Sequence, residues 1–186
     1  MEVYDEIHNV LSIQKFSEQF KVDFDDNVTE FLGFLVHDKS HVMDNKSRVK
    51  EMETALKAAK NYSYRGSVFR GTYGNYKDTQ AGEVITFGRY ESFSGNFDWA
   101  KLVAKKTKFL LEIENPRGCF PYSEWLKYLF LQLKKENPSV FNAVDGDYMI
   151  ETANKEQELI FGIGTKLDVK SIYTDGPYII AKCVQI

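Results

Sequence analysis

A chain of 186 residues with 27 acidic against 24 basic side chains has a formal charge of −3, so its bulk field gives no attraction to phosphate backbones and wholesale nucleic-acid binding is not its default reading. With 43% hydrophobic and 15% aromatic residues, a chain of this length can bury a core without disulfide staples, and overall disorder is not expected. Cys119 and Cys183 form no CxxC or His/Cys cluster, no run approaches 18 apolar residues, and the opening "MEVYDEIHNV" has no apolar signal core; we expect unpaired thiols, a cytosolic setting and no membrane partner.

In chain order, "NVTEFLGFLVHDK" places Val28, Phe31, Leu32 and Leu35 at helical spacing, and "SRVKEMETALKAAK" repeats the pattern with Val49, Met52, Leu56 and Ala59. Residues 1–60 are expected to form a helical lobe. His37 and His41 stand four apart on the first of these helices, the spacing of two zinc ligands. Asp38 replaces the glutamate of a metalloprotease motif and no third ligand is evident, so they read as surface histidines. After Lys60 the composition turns to aromatic and β-branched segments broken by glycine: "SVFRGTYG", "EVITFGRYESFSG", "KFLLEIENPRG", "ELIFGIG", "LDVKSIY" and "PYIIAKCVQI". One helix interrupts this sheet-forming half. In "SEWLKYLFLQLKKENP", Trp125, Leu126, Leu129, Phe130 and Leu133 form a stripe, Ser123 is the candidate N-cap, and Pro138 follows the last turn. With no internal repeat and no Pro/Ser linker, one α+β domain over 1–186 is expected, its helix inserted near 123–136.

Three stretches carry chemistry. In "VFRGT" a strand delivers the Arg70 guanidinium beside Gly71, a pairing suited to a phosphate or a ribose, because the planar fork donates twice and glycine leaves room for a ligand. Arg65 in "YRG" competes for that role. In "YESFSGN" the hydroxyls of Ser92 and Ser94 share one strand face and could orient a carboxylate. In "KEQELIFGIGT", Glu156 and Glu158 lie two apart; on a strand they share a face about 7 Å apart, a costly placement for like charges. Each has a bland alternative: a surface ion pair, a polar turn, a solvated strand edge. "KLVAKKTK" reads as a solvated helix face, and "GIGT" leads into a strand, which excludes a dinucleotide-binding Gly loop.

The order Arg, Ser-x-Ser, Glu-x-Glu resembles the arginine, serine, glutamate class of mono-ADP-ribosyltransferases, from about residue 50 to the C-terminus. Within that class the helix-containing stretch before Glu-x-Glu is similar to the small Mod and Alt transferases of T-even phages. The resemblance implies an α+β fold with an N-terminal helical lobe on a split two-sheet β core. It also implies a reaction: ADP-ribose passes from NAD, the substrate, to an acceptor, typically arginine of a target protein, and nicotinamide is released without a metal. Residue by residue, it implies that Arg70, with Gly71 beside it, holds the phosphate and ribose region of NAD. Ser92 would position the catalytic glutamate and Ser94 would be the second serine. Glu158 would bind the nicotinamide ribose, Glu156 would prepare the acceptor, and Phe97 or Trp99 would stack on nicotinamide. Phe93 stands where many members carry threonine, on the face away from the hydroxyls. The implied partners are NAD and a target protein, of the host cytosol if the chain is phage-encoded; a nucleic-acid end is a less favoured acceptor. Two other readings stay open: an NAD glycohydrolase on the same fold, and a non-catalytic binding module that keeps it.

Overall fold

The structure is a computed structural model that describes residues 56, 57, 59–72, 74, 76–136, 138–143 and 145–186. The helices expected over 27–39 and 47–60, together with His37 and His41, therefore lie outside the described residues, apart from helical Leu56 and Lys57 and a 3-10 turn at Ala59–Asn61.

The glycine-punctuated segments form strands: β1 (Ser67–Gly71), β2 (Val84–Thr86), β3 (Glu91–Ser94), β4 (Phe109–Glu114), β5 (Glu158–Phe161), β6 (Lys166–Asp175) and β7 (Tyr178–Gln185). They hydrogen-bond in the order β2-β6-β7-β4-β1-β3-β5, with β4 and β7 parallel and the other pairs antiparallel. β1 follows β4 over five register pairs, from Ser67↔Glu114 to Gly71↔Leu110. It meets β3 at one pair only, Phe69↔Ser94. The sheet thus consists of a five-strand part and the β3–β5 pair joined at a narrow seam, the form the split core takes here.

Helices cover both faces. The apolar stripe of α2 (Tyr122–Glu136) buries Trp125, Leu126, Leu129, Phe130 and Leu133 in the larger core, beside the ring cluster of Phe87, Phe93 and Phe161. Lys134 and Lys135 sit in its last turn, where the helix dipole favours cations. On the other face α1 (Phe97–Val103) packs Ala100 on Leu110 and Ile180. Asn96 caps α1, its side-chain oxygen accepting from the Asp98 and Trp99 amides at 3.1 and 3.3 Å.

The stretch 138–156, read from composition as part of the sheet-forming half, is helical instead. α3 (Pro138–Ala143) and α4 (Gly146–Glu156) lie there, with Met149, Ile150 and Ala153 packed on the core. Ser123 does not cap α2 either, since the helix begins one residue earlier.

Cys119 and Cys183 are free and buried, and burial pushes both thiols up to about 12. Burial also raises the phenols of Tyr62 and Tyr122, the latter further through Glu158 and Glu156. Each group is thus held neutral in the folded state while the unfolded chain ionises near its ordinary value, about 8.5 for Cys and 10 for Tyr. The unfolded state then binds fewer protons, so stability falls as pH rises above about 8.5. The urea midpoint is expected to decline steadily between pH 8 and pH 11, and a flat profile would contradict this.

Candidate functional site

The seam opens into a cavity of about 310 Å³, within the size range of small-molecule sites. β1 contributes Phe69, Arg70 and Gly71, β3 contributes Ser92 and Ser94, α1 contributes Trp99, and Glu156 and Glu158 close the far side. The three stretches singled out in the sequence thus meet in one place, although Arg70 and Glu158 are 88 positions apart in the chain.

Arg70 lines the cavity and is itself held in the fold. Its Nη1 donates to the Ser92 carbonyl at 2.6 Å and its Nη2 pairs with Glu91. On β3, alternation sends Ser92 and Ser94 to the cavity side, with Phe93 opposite in the core. The Ser92 hydroxyl donates to Glu158 Oε1. The Ser94 hydroxyl, 7% exposed, lies 2.5 Å from the Glu156 carbonyl, to which it donates, and its oxygen accepts the Asn96 amide at 3.0 Å.

The two glutamates do not share a strand. Glu156 is the last residue of α4, Gln157 turns through the left-handed region (φ 46°), and Glu158 opens β5, opposite Ser94. The expected strand alternation is replaced by a helix end and a strand start that converge. Glu158 is 6% exposed, whereas Glu156 is half-buried. Carboxylates are disfavoured at a helix C-terminus, where the peptide dipoles present their negative end.

Ser123, read as a cap, serves this turn: its Oγ accepts the Glu158 amide at 2.7 Å. A serine in the first turn of a core helix gives no sequence sign of a partner 35 residues away. Glu91 was legible in part, as a charge on the core-facing side of an aromatic strand, where an unpaired carboxylate is costly.

Gly71 serves packing against α1. A Cβ there would lie 2.5 Å from the Ala100 carbonyl and 2.6 Å from the Ala104 amide, so the missing side chain makes room for a helix rather than for a ligand alone. Gly71→Ala should displace α1 and cost about 1–3 kcal/mol, read as a lower urea midpoint at unchanged slope. The candidate stacking rings are also separated. Phe97 packs on Phe69 with centroids 4.6 Å apart and carries Lys101 over its face at 4.0 Å, while Trp99 lines the cavity.

Arg65 is exposed and does not line the cavity. Of the lysine cluster, Lys101 pairs with Asp175 at 3.1 Å and Lys108 lies 4.9 Å from the Tyr178 ring centre, so part of it is engaged within the fold. Among the described residues, no three His, Cys, Asp or Glu side chains converge as a metal site.

No protein-family profile and no curated protein sequence matches the chain. Solved structures do. The type III effector XopAI from Xanthomonas axonopodis pv. citri superposes with a TM-score of 0.58 at 17% identity, over 98% of this chain and 72% of that one. The ADP-ribosyltransferase Vis from Vibrio splendidus, in complex with agmatine, gives 0.57 at 13%, over 100% and 85%. C3stau2 from S. aureus, solved with NAD, gives 0.55 at 11%, over 93% of each chain. The chain therefore has the α+β fold seen in solved ADP-ribosyltransferases.

Proposed function

We propose that this chain is an NAD-dependent mono-ADP-ribosyltransferase that passes ADP-ribose from NAD to arginine of a target protein. The observation that carries the reading is the contact between Ser92 and Glu158 inside a cavity that Arg70 also lines. The fold adds support, since one structural neighbour is solved with NAD.

Arg70 supplies a fixed cation for the phosphate and ribose region of NAD, with Trp99 the better placed of the two aromatics to stack on nicotinamide. In the reaction the bond from the ribose C1′ to the pyridinium nitrogen breaks. Its electron pair passes to the ring, and nicotinamide leaves neutral. Positive charge develops on the ribose, and the Glu158 carboxylate, oriented by Ser92 and anchored at its amide by Ser123, stabilises it. An acceptor nitrogen then bonds to C1′ and loses a proton, and Glu156 is the group to hold and deprotonate it. Its place at the negative end of α4 favours an arriving guanidinium. Agmatine, bound by Vis, carries that same group. The helical stretch between β4 and Glu158 supports a kinship with Mod and Alt and, with it, a target in a host cytosol.

The test is incubation with NAD and agmatine, with nicotinamide release and ADP-ribosyl-agmatine read by mass spectrometry. Adduct formation that depends on Glu158 supports the proposal. Nicotinamide release without adduct on agmatine or on any lysate protein would favour a glycohydrolase, and neither product would overturn the enzymatic reading.

A further inference from the structure

Glu91 opens β3 and is 1% exposed, in a place where a carboxylate is stable only with donors around it. Three side chains reach it. Arg70 Nη2 forms an ion pair, Arg89 Nε lies at 3.2 Å, and the Tyr76 hydroxyl donates from 3.2 Å. Burial, then Glu91 itself, raises the Tyr76 phenol, which keeps it a donor. Glu91 does not line the 310 Å³ cavity, whereas Arg70, held by it, does.

Resting on the NAD reading above, we infer that Glu91 is a positioning residue that sets the Arg70 guanidinium for the anionic part of the substrate. The Nη1 hydrogen bond to Ser92 O and the Nη2 ion pair with Glu91 hold two nitrogens of one fork and so restrain the guanidinium. Rotamer freedom is then lost on folding and need not be lost again on binding. The charge balance is consistent with such a role, because Arg70 and Arg89 share one carboxylate and the cluster keeps a net positive charge toward phosphate.

The sign of one measurement decides the matter. Glu91→Gln removes a negative charge near the cavity, so simple electrostatics makes NAD, with its anionic pyrophosphate, bind more tightly. Positioning makes it bind more weakly. Calorimetry with NAD is expected to show about tenfold weaker binding for Glu91→Gln, and less than a twofold change when the same substitution is made in an Arg70→Met background. Unchanged or tighter binding by a folded Glu91→Gln protein overturns the inference, as does an undiminished effect without Arg70. If Glu91→Gln does not fold, Tyr76→Phe decides: it leaves the carboxylate in place and removes one donor, and two- to fourfold weaker binding supports the role while unchanged binding overturns it. Absence of NAD binding by the wild-type protein overturns the parent reading along with this one, whereas wild-type binding that Glu91→Gln leaves intact overturns this one alone.

Discussion

Glu158→Gln is expected to lower the rate of nicotinamide release about a thousandfold while leaving NAD affinity within a few-fold. Opposite unit charges about 4 Å apart at an effective dielectric near 20 attract by roughly 4 kcal/mol, and a cation that forms only in the transition state converts that into rate. The amide keeps the shape and can still meet the Ser92 hydroxyl and the Ser123 anchor, so the change removes charge with little change of packing. Single-turnover nicotinamide release, with thermal melting as a control for folding, reads it. A loss of tenfold or less in a folded protein would mean that this carboxylate does not face the developing charge.

Glu156→Gln is expected to separate two outcomes of one enzyme. Transfer to agmatine should fall at least a hundredfold, the usual scale for a lost general base, while nicotinamide release into water stays within about threefold. The difference follows from position. Glu156 ends α4 and is half-buried, whereas the Ser92 hydroxyl is given to Glu158 at the start of β5. The ratio of adduct to nicotinamide checks the prediction, and equal losses of both products would merge the roles of the two glutamates. The variant should also be slightly more stable, because a negative charge leaves the helix C-terminus.

Much of this site was legible before folding. Arginine before glycine, two serines on one face, and Glu-x-Glu before a Gly turn are local patterns, and local patterns survive in a sequence. The α2 stripe was equally plain, because Trp125 to Leu133 repeat with helical period over more than two turns. Residues 138–156 were harder to read. α4 packs Met149, Ile150 and Ala153 on the core against α2, but this stripe spans little more than one turn, too short to fix a helical period in the sequence. That is why Glu-Gln-Glu read as strand when its first member ends a helix. Gly71 shows the same limit: the sequence indicates an open position, and only the tertiary fold shows that α1 fills it. The donors around Glu91 come from separate segments, a loop tyrosine, a strand arginine and a turn arginine, and no spacing rule joins them.

The single register pair between β1 and β3 gives Arg70 a mechanical role. Two parts of the sheet that share so little backbone bonding are clasped by this side chain, which runs from β1 to the Ser92 carbonyl and the Glu91 carboxylate on β3. Ser92 and Glu158 stand on one part of the sheet and the Arg70 guanidinium comes from the other, so under the proposed NAD reading the clasp also sets the distance between the ribose and phosphate ends of the substrate. Loosening it would let the cleft breathe, and amide exchange along β3 would quicken in the absence of any ligand.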